Sequence, residues 1–203
     1  MSDTPTGTST HIISLYTEMT PNPDSLKFVM NKMLMPGQSI DFQRGDDTSS
    51  SALAGALFTQ FSYLQGVFIM NNFVTLRKTS DLDWFEIKRE LGDFIKAWVA
   101  EGKEIAKEPE PVGPKPGEGP FEGEEGDSID DRIRKMLDQY VKPAVEMDGG
   151  AIAFKEFKDG VVTVMLQGSC SGCPSSTVTL KQGIEGLLKR MIPEVQEVVA
   201  EAV

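Results

Sequence analysis

VVTVMLQGSCSGCPSSTVTLKQGIEGLL, residues 161–188, runs from a strand through a CxxC loop into a helix. Its opening residues are β-branched and apolar enough to suit a pleated, buried surface. Beyond the loop, Leu180, Ile184, Leu187, Leu188 and Met191 recur at helical spacing and predict a buried face on a helix over 175–190. Pro174 suits a first helical turn, where its missing N–H is not needed, and Ser175 and Ser176 read as caps. Upstream, residues 151–157 and 161–167 predict a hairpin around Lys158-Asp159-Gly160, preceded by an Asp148-Gly149-Gly150 turn. Before that turn, Asp127 or Ser128 caps a helix with Ile129, Ile133, Met136, Leu137 and Tyr140 on its apolar face and Pro143 near its end. Residues 195–200 predict a third strand. The order α-β-β-α-β within 128–203 is too small for most deep-clefted enzymes, so the reading is not an enzyme.

Residues 107–127, KEPEPVGPKPGEGPFEGEEGD, hold five prolines, five glycines and one large apolar side chain, Phe121. Such a segment buries too little to offset its ordering entropy and predicts a disordered acidic linker, reaching roughly 60 Å when stretched. It separates a domain at 1–106 from one at 128–203. In the first, residues 11–18 alternate as a strand, Thr20-Pro21-Asn22-Pro23 turns, and 26–30 pair back. Residues 45–51 form a polar loop. Leu53, Leu57, Phe61 and Leu64 predict a helix ended by Gly66. Residues 67–70 and 73–77 predict a hairpin around Asn71-Asn72. Ser80 or Asp81 caps a last helix striped by Trp84, Ile87, Leu91, Phe94, Ile95 and Trp98. The fold class is therefore α+β (mixed α/β) in two small domains.

A formal charge of −11 speaks against nucleic acid or an anionic membrane as partner. Nine acids against three lysines lie within 101–127, so much of that charge is local. No run approaches the length of a membrane span. Residues 1–10 are polar and lack the apolar core of a secretory signal and the arginines of a transit peptide, which predicts a cytoplasmic protein with reduced thiols.

Cys170 and Cys173 are the whole cysteine inventory. The adjoining helix N-terminus favours thiolates, and Gly168 and Gly172 let backbone approach a bulky inorganic ligand. Two thiolates are half of what a tetrahedral zinc or a four-iron cluster requires. The single histidine, His11, lies in the other domain, so either metal site calls for a second copy of the chain. Three chemistries fit the loop: a thiol-disulfide oxidoreductase, a zinc-bound interaction module, and an iron–sulfur cluster shared by two chains. The missing βαβ unit upstream counts against the first.

VKPAVEMDGG (141–150) and LQGSCSGCPSSTVTLKQGIEGLL (166–188) resemble the C-terminal domain of the NifU-like, or Nfu, family of iron–sulfur scaffolds. TPNPDSLKF (20–28), SALAGALF (51–58) and FVTLRK (73–78), with the Trp84 helix, resemble that family's N-terminal domain. The resemblance implies that Cys170 and Cys173 of two subunits hold one [4Fe-4S] cluster in a homodimer. It further implies upstream cluster assembly proteins as donors and apo iron–sulfur proteins as acceptors. Ala151 departs from the family, where an acidic residue is frequent after the double glycine.

Overall fold

The computed structural model describes residues 12–79, 81–107, 128–170 and 174–202. The tether of 107–127 thus lies outside the description except for Lys107, whose backbone N–H donates to the Ser50 carbonyl at 2.8 Å. Ser80, His11 and Cys173 also lie outside it.

Five strands in the N-terminal half form one antiparallel sheet of order β1-β2-β5-β4-β3. They are β1 (Leu15–Met19), β2 (Ser25–Met30), β3 (Met35–Gln43), β4 (Leu64–Asn71) and β5 (Phe73–Lys78). Helices α1 (Ala52–Gln60) and α2 (Trp84–Ala100) cover one face. Residues of one parity, among them Leu26, Phe28, Val67, Ile69, Val74 and Leu76, meet those helices in a common core, as the two-residue period of a strand requires. Asn71 turns the β4–β5 hairpin at φ 46°.

Helix α1 stops sooner than its leucine spacing implies. Phe61 is extended, and the Arg44 guanidinium takes up the Phe61 and Phe58 carbonyls at 2.7 and 3.3 Å. Leu64 therefore opens β4, and Gly66 lies inside that strand rather than ending the helix. At the other end, Ser51 caps α1 by accepting from the Ala54 N–H, while its hydroxyl donates to the Ile105 carbonyl at 2.7 Å. Because Ser51 is fully buried, Ser51→Ala should lower stability by about 1–2 kcal/mol, read as a shifted urea midpoint at constant slope. Helix α2 is capped by Asp83, two residues after Asp81. Its stripe matches the spacing, although Phe94 and Trp98 are only partly buried.

In the C-terminal half, β6 (Gly150–Lys158), β7 (Val161–Gly168) and β8 (Glu197–Ala202) form a sheet of order β6-β7-β8. Asp159 and Gly160 turn the β6–β7 hairpin at φ 51° and 84°. Since β8 runs parallel to β7, the connection must cross over, and α5 (Pro174–Met191) supplies the crossover. Ser128 caps α3 (Ile129–Met136) through the Asp131 N–H. The chain then widens into a π-helical turn, Leu137–Val141, and continues as α4 (Lys142–Met147). Pro143 thus sits inside a helical run rather than near its close. The Lys142 N–H reaches back five residues to Leu137, and this wider turn relieves the ring's clash with the preceding carbonyls. It also rotates Tyr140 out of the core, where it is 53% exposed, and Met191 at the end of α5 is likewise largely exposed. Ile133, Val145, Val164, Ile184 and Leu188 fill the core instead.

Candidate cluster site

Strand β7 ends where its backbone turns at Gly168, φ +69°, so that Ser169 and Cys170 leave the sheet toward the Asp148-Gly149-Gly150 turn. The Ser169 hydroxyl donates to the Asp148 carbonyl at 2.5 Å, and its N–H donates to the Gly149 carbonyl at 3.3 Å. These bonds tie the two glycine-bearing loops together. The Cys170 sulfur rests over Gly150: a Cβ built there would lie 3.0 Å from Sγ and 2.6 Å from the Gln167 carbonyl oxygen. Ser169 Oγ is 3.8 Å from Sγ, within reach of an S–H···O or O–H···S contact. Cys170 is only 7% exposed and belongs to the C-terminal core. Pro174 takes the first position of α5, as its missing N–H suggests. The side chains of Ser175 and Ser176, read as caps in the sequence, lie outside the description. Among the described residues, no group of three or more His, Cys, Asp or Glu side chains could hold a metal ion. The soft donor set suits iron–sulfur or zinc chemistry.

Side chains of the N-terminal sheet converge on the same loops, a feature absent from the sequence reading. The Thr75 hydroxyl donates to the Gly149 carbonyl at 2.8 Å, and Asn22 Nδ2 donates to the Ser169 carbonyl at 3.3 Å. Asp41 Oδ2 accepts from the Gly168 N–H at 2.7 Å. Lys27 Nζ donates to the last carbonyls of α4, Glu146 and Met147, at 3.1 and 3.2 Å, and pairs with Glu18 at 3.1 Å. A cation at a helix C-terminus is favoured by the helix dipole. Burial raises the Asp148 carboxyl above its usual range, and Lys27 pulls it back.

Burial pushes the Asp41 carboxyl from 3.8 up to about 6, against the Gly168 N–H and Arg77. Asp46 adds a push in the same direction as burial. The compact state therefore holds this proton more tightly than the unfolded chain. The associated stability is complete below about pH 4 and is lost as pH rises through about 6. Asp41→Asn keeps an oxygen acceptor for Gly168 without the charge. The fall in melting temperature from pH 4 to pH 6.5 should be shallower in the variant than in the parent.

Comparison with known proteins bears on both halves. The family described as "Scaffold protein Nfu/NifU N terminal" matches residues 15–102, and that described as "NifU-like domain" matches residues 133–199. A human protein named NFU1 iron-sulfur cluster scaffold homolog, mitochondrial, is 37% identical over 91% of this chain and 70% of its own length. The protein of the same name from Drosophila erecta is 38% identical over 91% of this chain, which spans 63% of it. A solution structure of a NifU-like protein from Saccharomyces cerevisiae covers 54% of this chain and 96% of its own, at 25% identity and a TM-score of 0.45.

Proposed function

Because this chain belongs to the NifU-like (Nfu) family of iron–sulfur cluster scaffold proteins, we propose that it binds a [4Fe-4S] cluster between two copies of itself and hands it to apo-proteins. The observation that carries this reading is the donor count: one chain brings Cys170 and Cys173 and no third cysteine. A four-iron cluster is completed by four thiolates, so two chains supply the set. Cargo held across such an interface can leave by ligand exchange, each acceptor thiolate displacing one of the chain's own. The family supports carriage rather than catalysis. The protein's partners are then a second copy of the chain, upstream cluster assembly proteins and apo iron–sulfur proteins, with neither nucleic acid nor membrane among them. No described helix is long and apolar enough to cross a bilayer.

The antiparallel β6–β7 hairpin immediately before the loop favours this reading over a dithiol oxidoreductase, whose redox loop follows a βαβ unit. Ligation also requires an outward thiol, whereas Cys170 faces its own core, so cluster capture includes a local rearrangement of the loop. The reading places the chain in a reducing compartment, here the cytoplasm, although the relatives' names place those proteins in mitochondria. Cell fractionation distinguishes the two. Anaerobic reconstitution followed by native mass measurement tests the central claim. The expected product is a brown dimer with about four irons, whereas a fully loaded single chain would overturn it.

A further inference from the structure

An antiparallel sheet with helices on one face and water on the other shows alternating burial along each strand. Here all six residues of β2 are buried, as are most of β4 and β5. The residues pointing away from α1 and α2 explain this. Val29, Phe68, Met70 and Phe73 form a second apolar cluster, and its fifth member is Ala151 at the start of β6. Around it stand the polar contacts of Thr75, Asn22, Asp41 and Lys27. Nearly all of these polar contacts meet main-chain groups of the C-terminal half. Two glycines make the approach possible. A Cβ on Gly149 would lie 2.9 Å from Thr75 Oγ1, and one on Gly168 would lie 2.8 Å from the Phe68 ring.

We propose that the outer face of the N-terminal sheet is a receptor for the chain's own Gly149-Gly150 and Gly168-Ser169 loops, and that in the apo protein it shields the ligand-bearing loop until a second copy takes its place. This inference rests on the cluster-sharing reading above and adds a role for the N-terminal domain. A cluster bridging two chains brings two Cys170 loops face to face. In the docked arrangement, the flanks of that loop are occupied by Asn22, Asp41 and Phe68. Docking and bridging therefore compete, so the loop that keeps Cys170 against its own core is held while the chain is alone and freed to turn the thiol outward when a partner or cargo draws the domains apart.

The full-length apo chain provides the test. Phe68→Asp places a charge in the apolar patch, on a face that is solvent-exposed once the domains separate, so the N-terminal sheet stays folded. Thr75→Val is the milder variant, keeping shape while removing the donor to Gly149. Nitrogen-15 relaxation should show the parent tumbling as one body and Phe68→Asp as two smaller ones, with Thr75→Val between. In a Cys173→Ser background, alkylation of Cys170 by iodoacetamide should be roughly tenfold faster in Phe68→Asp, since protected groups react through opening. Parent and variants tumbling alike, or domains that separate without any change in alkylation rate, would overturn the shield. Both readouts use apo protein, so a failure of cluster binding would sink the scaffold reading and leave these results to stand separately.

Discussion

Cys170→Ala and Cys173→Ala, each reconstituted anaerobically, should emerge colourless, with iron content down about tenfold or more from the parent. The reason is stoichiometric. A parent dimer offers four cysteine thiolates, and a dimer of either variant offers two, which leaves half of the cluster's irons without a protein ligand. Among the described residues, no group of three or more His, Asp or Glu side chains offers a replacement set. Mixing parent and variant chains sharpens the argument, because a mixed dimer brings three thiolates and should bind cargo weakly enough to lose it on a desalting column. The fold should survive. Cys170 packs as a small apolar side chain against the C-terminal core, and its truncation should cost about 1 kcal/mol. Circular dichroism and a urea midpoint would report that directly. A full four-iron cluster in either single variant would show that the ligands lie elsewhere.

The elements that place this site were largely legible because each follows from a local rule. The Lys158-Asp159-Gly160 turn, the Ser128 cap, and the strand before and helix after the CxxC depend on neighbouring residues, and the structure places these as read, with residues 171–173 outside the described ones. Two kinds of feature escaped. Strand β3 hides its pairing in MPGQSIDFQ, whose Pro36 and Gly37 look like loop. As an edge strand with a bulge between Met35 and Ser39, it tolerates both. The second kind is tertiary. Asp41, Thr75 and Asn22 act on Gly168, Gly149 and Ser169, residues remote from them in sequence. One signal did exist: Val29, Phe68, Met70 and Phe73 are apolar on the parity that a one-sided sheet would leave polar. Both phases of β2, β4 and β5 were hydrophobic, and that pattern announces a covered second face.

Gly150→Val should be the most damaging single change to the seat of the ligand that leaves both sulfurs in place. Gly150 opens β6 and pairs with Gly168, the last residue of β7. An added Cβ would fall 2.6 Å from the Gln167 carbonyl oxygen, a backbone atom that cannot turn aside, and 3.0 Å from the Cys170 sulfur. Relief requires either parting the β6–β7 pairing at its ligand end or expelling Cys170 from its place in the core. Overpacking of this kind costs about 3 kcal/mol, and valine's two further methyls deepen the clash. Gly183→Ala is the control, since a Cβ there meets nothing within 4 Å and lies inside α5. It should stabilise the chain by about 0.5–1 kcal/mol. Urea unfolding of the two variants should thus shift in opposite directions. Reconstituted Gly150→Val should hold severalfold less iron than Gly183→Ala at a temperature where both are folded, because parting β6 from β7 at Gly150 and Gly168 loosens the base from which the ligand loop departs. Equal loading would mean that the β6–β7 pairing at its ligand end has no part in cluster capture. Capture would then depend only on the thiolates and on the freedom of the loop that carries them.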